Sequence, residues 1–368
     1  MIPRVERLCN GWPLIEPIPD HPWESAVTFN PACILVESAD RLAPIIAALP
    51  FTPDIKHRLE QEDALCFLLY RAQGSPTAER DYRTSSLGLA VLSPDLKVLA
   101  RHTSPLLVPE YDFENLGIED ARLTRMGDRF ILFYTAYSRQ GSRYAIRIAL
   151  ASSEDLVHWE KHGLLTADFN TLDNKNAMLF EQQHRGRYLM LHRPMQGPDA
   201  MTIHWAEADD VFGTWRTRGV FMRPLPNPAF ADTWIGGGAP PLHIGDDRYL
   251  ILYHIGNRSA DGSREYDLGI AVADLSRPQP ILRRDEPLLK PETVYETKGH
   301  AALGVNNVVF ICGAYFRHGD VYFPYAGADS VILGGRIARK DIEAYVQGSR
   351  VEESGLSRRR VSNVGFYV

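Results

Sequence analysis

One apolar strand recurs five times in this chain, and any fold it adopts must accommodate all five copies. LCFLLYR (65–71), RFILFYT (129–135), RYLMLHR (187–193), RYLILYH (248–254) and DVYFPYA (320–326) align without gaps. Their sixth positions are Tyr70, Tyr134, His192, Tyr253 and Tyr325, and successive copies start 64, 58, 61 and 72 residues apart. Each is followed by a second apolar stretch that closes on an acid and an aliphatic residue: Asp95-Leu96, Asp155-Leu156, Asp210-Val211, Asp274-Leu275 and Asp341-Ile342. A repeat of this length, made of short strands and turns, cannot bury its apolar faces alone and does so by stacking radially on its neighbours, which is a β-propeller. The chain therefore reads as all-β, one five-bladed β-propeller domain over 1–368. Helical period is confined to 337–349 and to 41–49, the latter despite Pro44, so a peripheral C-terminal helix is expected.

By length alone 368 residues allow two domains, but no linker or charge block divides them, and radial repetition accounts for the size. The 25 prolines and 28 glycines fall largely between the apolar runs, where turns need them. No run approaches the roughly 18 apolar residues of a membrane span, and MIPRVERLCNGW lacks the apolar centre of a signal peptide, so a cytoplasmic protein is expected. Cys9, Cys33, Cys66 and Cys312 are scattered, which suggests reduced thiols rather than disulfides or zinc. The twelve histidines show no metal-ligand spacing, and neither metal nor cofactor is expected. A net charge of −6 argues against a nucleic-acid surface. Oligomeric state is not legible, and a homo-oligomer stays open.

Chemistry enters at GIEDAR (117–122), where Glu119, Asp120 and Arg122 stand just before the buried strand FILFYTAY. A carboxyl beside a second carboxyl and near a guanidinium is pulled both ways in proton affinity and can be tuned as a general acid. The competing reading is a salt-bridged turn. The seventh positions of the repeats are Arg71, Thr135, Arg193, His254 and Ala326, so three of five equivalent strand ends carry a cation or a potential one. Lys175, in NKNAMLF (174–180), can reach the same mouth. Arginine forks and a lysine point charge suit an oxyanion held beside a sugar; the competing reading is solvated strand ends. GGG at 236–238 lacks the strand-loop-helix context of a phosphate loop and reads as a turn.

Taken in order, PLIEPIPDHPWESAVTFNPACIL (13–35), FLLYRAQG (67–74), GIEDARLT (117–124), YTAYS (134–138), NKNAMLF (174–180), LHRP (191–194), WIGGGAPPL (234–242), LYHIG (252–256), YETKGH (295–300), NNVVF (306–310) and AGAD (326–329) carry a family likeness. The chain resembles glycoside hydrolase family 130, the β-mannoside phosphorylases and related β-mannosidases. The resemblance implies a five-bladed propeller with a central active site and inverting transfer of a β-mannosyl unit to inorganic phosphate. It places the proton donor at Asp120, acting through the sugar's 3-hydroxyl, and releases α-mannose 1-phosphate. The sequence departs from the family's pattern at Ala121, where proline is usual, and at Asn176, where aspartate is frequent.

One acid amid several cations fits phosphorolysis, since phosphate needs no base to activate it. Arg71, Lys175, Arg193 and His254 are the expected phosphate ligands. Glu119, Tyr137, His192, Trp234, Tyr325 and Asp329 are the expected sugar contacts, with Tyr253 a further aromatic candidate; for the aromatics and for His192, packing within a blade is the competing reading. The expected partners are a β-mannoside oligosaccharide and phosphate as co-substrate. A hydrolase of the same fold, with Glu292 or Glu296 as base, and a non-catalytic carbohydrate-binding propeller are the alternatives.

Overall fold

The computed structural model describes residues 1–75, 84–277 and 281–348; residues 349–368 of the expected domain, including the last residue of the expected C-terminal helix, lie outside them. All five repeat copies are strands: Ala64–Gln73, Arg129–Gln140, Tyr188–Pro194, Arg248–Arg258 and Asp320–Gly327. Each is the second strand of an antiparallel four-stranded meander. The first meander runs Val27–Glu37, Ala64–Gln73, Ser85–Leu92, Val98–Arg101. The second runs Gly117–Met126, Arg129–Gln140, Arg143–Ser153, Glu160–Leu164. The third is Asn174–Leu179, Tyr188–Pro194, Ile203–Ala208, Arg216–Met222, and the fourth Asp232–Gly237, Arg248–Arg258, Arg264–Asp274, Ile281–Arg283. The fifth, Val309–Ile311, Asp320–Gly327 and Val331–Ile337, takes its outer strand from the N-terminus, Val5–Arg7. A single parallel pair, Ser85 with Gly117, joins the first two meanders into one sheet, giving four sheets among the described residues, none of them closed on itself.

Strand periodicity explains how the meanders pack. Side chains alternate between faces, so Phe67 and Leu69 meet Ile118, Leu123 and Leu132 of the second meander, whereas Cys66, Leu68 and Tyr70 meet Tyr315 and Ile332 of the fifth. Ile131 and Phe133 pack on Leu179, Met190 and Trp215 of the third. Met178 and Leu191 pack on Ile235 and Ile251 of the fourth, and Leu250 and Leu252 on Val309 and Phe323 of the fifth. Five apolar interfaces thus link five meanders, the fifth to the first included.

The repeat's closing acids do not all behave alike. Asp95, Asp155, Asp210 and Asp274 stand in or beside the turn before an outer strand, but Asp341 lies in a helix over 339–348, because the fifth outer strand comes from the other end of the chain. Helix is otherwise sparse. Ala39–Ala48 forms around Pro44 as expected, while Pro53–Leu59, with proline at its first position, is a helix the periodicity did not reveal. Among the described residues no helix is long and apolar enough to cross a membrane, and no acid, histidine and cysteine cluster could hold a metal ion.

Candidate active site

The inner strands of the first three meanders share one irregularity. Asn30, Asp120 and Asn176 have φ of +46°, +48° and +59°, and the pairing register shifts at each: between Phe29 and Ala32, Glu119 and Arg122, Lys175 and Met178. These are bulges at a left-handed residue, a backbone state that asparagine and aspartate enter more readily than other side chains. Asp329 (φ +48°) follows Ala328 (φ +47°) in the turn before Val331–Ile337.

The bulges aim polar groups at one another. Asn30 Nδ2 donates to Asp120 Oδ1 at 2.6 Å. Arg71 donates to Asp120 Oδ1 at 3.0 Å, to Glu119 at 2.5 Å and to Ser85 Oγ at 2.8 Å, with its guanidinium 4.5 Å over the Phe29 ring. Arg122 turns away from the Asp120 carboxylate and grips main chain instead, donating to the carbonyls of Asp120 (2.5 Å), Gly237 (2.9 Å) and Gly238 (3.1 Å). Lys175 pairs with Arg193 across adjacent strands. A Cβ on Gly236 would stand 2.7 Å from Arg193 Nη1 and 2.9 Å from Asn176 Oδ1, so this glycine lets the fourth meander approach both. Among the described residues both amide atoms of Asn176, and Arg193 Nε, are buried without a partner, in contrast to ordinary buried polar atoms.

Charge and burial set the protonation states. Burial raises Asp120, but Arg71, Lys175, Arg122 and the Asn30 hydrogen bond outweigh it and hold the carboxyl far below the usual range. Asp329 goes the other way: burial, with Asp120 and Glu119 close by, lifts it to about 7 against the pull of Arg71 and Lys175. Glu119 is also raised, by burial and Asp120. Burial and the neighbouring Arg122 bring Arg193 down to about 10, and burial with Arg193 and Arg71 nearby lowers Lys175, so two cations crowd one place.

Of the residues singled out in the sequence, Arg71, Glu119, Asp120, Lys175, Arg193 and Asp329 therefore converge. His254 reaches the same field but as a neutral ring, since burial and the charges of Arg122 and Arg193 push it well below its ordinary range; Nε2 lies 2.8 Å from the Ile311 carbonyl and the ring stacks on Phe310. Tyr137 lies near Glu119 and stacks on Tyr144. Trp234 packs edge-on to Tyr266, which is close to Arg193. His192 and Tyr325 are placed elsewhere. His192 stacks on Phe169 with Nδ1 against Asn174, and the Tyr325 hydroxyl donates to Glu296 at 2.8 Å, both between meanders. Tyr253, likewise in a sixth position, lies over Gly269. Glu296 is fully used by Arg7, Tyr325 and the backbone amides of Glu292 and Thr293, which removes it as a base; Glu292 is exposed and paired with Arg7 at 2.9 Å.

The family profile described as beta-1,4-mannooligosaccharide phosphorylase matches residues 60–346. A 1,2-beta-oligomannan phosphorylase of Thermoanaerobacter sp. (strain X514) is 31% identical over 348 residues, covering 92% of this chain and 99% of the relative. The chain belongs to glycoside hydrolase family 130. A beta-1,2-mannobiose phosphorylase of the same strain is 30% identical, over 92% of this family 130 chain and 98% of the relative. Among solved structures, the Listeria innocua beta-1,2-mannobiose phosphorylase in complex with beta-1,2-mannobiose superposes with a TM-score of 0.71 at 22% identity, covering 92% of this chain and 98% of that one.

Sequence reasoning missed Asn30 and the carbonyl grip of Arg122. Asn30 sat inside the matched SAVTFNPACIL segment, and an asparagine followed by proline within an apolar strand was the signal for a break in the ladder.

Proposed function

We propose that this family 130 protein is an inverting β-mannoside phosphorylase, a single five-bladed propeller with its site in the central cavity, acting on β-1,2-linked mannobiose or short oligomannan. Five apolar interfaces linking five meanders in sequence, fifth to first, support the propeller. The two relatives named as phosphorylases of β-1,2-linked substrates, matching 92% of the chain, support the linkage. The observation that carries the reaction type is the convergence of Arg71, Lys175 and Arg193 on Asp120, a crowd of cations suited to an attacking phosphate anion. A hydrolase needs a base to activate water; Glu296 is consumed by Arg7 and Tyr325, and Asp329, raised to about 7, is the carboxyl of the cluster that such a reading would have to use.

In this reading phosphate lies against Lys175 and Arg193, with Arg71 bridging it to the acid, and attacks C1 of the mannosyl unit from the face opposite the leaving oxygen. The C1–O bond to the leaving sugar breaks as the C1–O bond to phosphate forms, and β becomes α. Asp120 supplies the proton that reaches the glycosidic oxygen through the 3-hydroxyl. In the free site Asp120 is anionic, so it must gain a proton first. A bound phosphate offsets the cations that hold Asp120 down, and the carboxyl takes up a proton as phosphate binds. Glu119 fixes Arg71, and Asp329, Asn176, Tyr137 and Trp234 face the sugar. Neutral His254 has no charge to offer phosphate and contributes shape. No metal or further cofactor is called for, and the cytoplasm supplies the co-substrate.

Replacing Asp120 tests the assignment. Asp120→Asn keeps the size and the Asn30 contact, and turnover should fall by about a hundredfold or more, the scale of general acid catalysis. Wild-type turnover in a folded variant would remove Asp120 from the proton path.

A further inference from the structure

The meanders repeat a second device, away from the active site. Tyr70 faces Gly88, and two residues on Ala90 pairs with Arg101. By the same count Tyr134 faces Ala149 and Ala151 pairs with Lys161, and Tyr325 faces Leu333 and Gly335 pairs with Arg7. At each of these three stations a buried glutamate bridges the phenol and the outer-strand cation. Glu24 accepts from Tyr70 at 2.8 Å and pairs with Arg101. Glu114 accepts from Tyr134 at 2.8 Å and from Lys161 at 2.6 Å. Glu296 accepts from Tyr325 and Arg7, both at 2.8 Å. The third meander has dropped the set together, with His192 facing His204 and Thr217 opposite Ala206.

The fourth meander keeps two members and lacks the third. Tyr253 faces Gly269, and two residues on Ala271 pairs with Arg283. The Arg283 guanidinium lies 5.9 Å from the Tyr253 ring centre, close to the 5.3 Å of Arg101 over Tyr70. Yet among the described residues no glutamate bridges them. Instead there is a cavity of about 200 Å³, lined by Tyr253, Arg283, Asn227, Thr233, Asp267, Lys290 and the exposed Asp285. Asp267 is buried and, among the described residues, its Oδ1 has no partner. Thr233 and Ile235 line this cavity while Trp234 and Gly236, on the other face of the same strand, look toward Tyr266 and Arg193, so it is distinct from the catalytic cluster.

We propose that this cavity binds a small organic monocarboxylate, whose carboxylate bridges the Tyr253 hydroxyl and the Arg283 guanidinium as Glu24 bridges Tyr70 and Arg101. A phenol and an outer-strand cation in this register select a carboxylate three times within the same chain, twice with a guanidinium and once with the Lys161 ammonium. A cavity of this volume holds the carboxylate and a short apolar tail against Leu225, Pro226 and Ile255. Burial and Glu265 push Asp267 up to about 7 against the pull of Lys290, so below that pH it carries a proton and offers the incoming group a donor rather than a repelling charge.

Propionate is the probe. Titration calorimetry and thermal unfolding are run on the whole enzyme in buffer saturated with inorganic phosphate, which fills the catalytic cations first. Wild type should bind propionate at one saturable site and unfold at a higher temperature. Tyr253→Phe, which keeps the ring over Gly269, should weaken binding by tenfold or more, Arg283→Met should abolish it, and Arg193→Met should leave it unchanged. Because Arg283→Met can unfold the protein, Tyr253→Phe decides. The proposal is overturned if wild type shows no saturable binding, if Tyr253→Phe binds as tightly as wild type, or if uncharged propionamide binds equally well.

Discussion

Arg71→Met separates the two tasks the structure gives this side chain. Arg71 is the direct partner of both acids, at 2.5 Å from Glu119 and 3.0 Å from Asp120, and all three are largely buried. Methionine keeps the stem against Phe29 and removes the charge. Removing one member of a buried ion pair typically costs about 3–5 kcal/mol, and here two carboxylates lose their partner. The sign with pH follows. Without Arg71 both carboxyls rise from where the wild type holds them, although Lys175 still pulls on each, so stability lost relative to wild type is least below the unfolded carboxylate range and grows as pH rises through it. The loss relative to wild type should therefore be small near pH 4 and reach about 3 kcal/mol at pH 8, read from urea unfolding at both. In kinetics, a charge-assisted contact of about 1.5–3 kcal/mol should raise the phosphate KM between tenfold and a hundredfold while the mannoside KM moves little. A stability gap that does not change with pH, or equal rises in both KM values, would refute the reasoning.

Two further substitutions test independent parts of the structure. Glu296→Gln leaves Arg7 without its buried partner and should destabilise the chain by about 3 kcal/mol with kcat within a factor of two; a large fall in kcat at unchanged stability would return Glu296 to the list of bases. Asp329 is raised to about 7 in the folded state, so its ionisation costs stability as pH climbs from the unfolded carboxylate range to there. Asp329→Asn should consequently gain about 4 kcal/mol at pH 8 and little at pH 4; an equal effect at both would mean that its carboxyl is solvated.

The repeated strand was legible because a buried strand leaves a contiguous apolar run with a tyrosine at a fixed place. The same copies also held the information that separates site from scaffold. In a strand the sixth and seventh side chains point to opposite faces, so Arg71 and Arg193 enter the polar cluster from the face opposite to Tyr70 and His192, and His192 and Tyr325 lie against Phe169 and Glu296. The left-handed bulges at Asp120 and Asn176 were out of reach, since a sequence names the residues that tolerate such a backbone without saying which will adopt it. The buried glutamates lie well separated in the chain from the cations they meet, Glu296 from Arg7 above all, and only the closing of the fifth meander by the N-terminal strand brings that pair together.

The central claim is that phosphate, not water, receives the mannosyl unit. Proton NMR of β-1,2-mannobiose with the enzyme, followed from the first turnovers with and without inorganic phosphate, reads this directly. The first product signal in phosphate should be the anomeric proton of α-mannose 1-phosphate, and the phosphate-free sample should stay essentially unreacted. Free mannose at an equal rate in the phosphate-free sample would contradict it and make this a hydrolase.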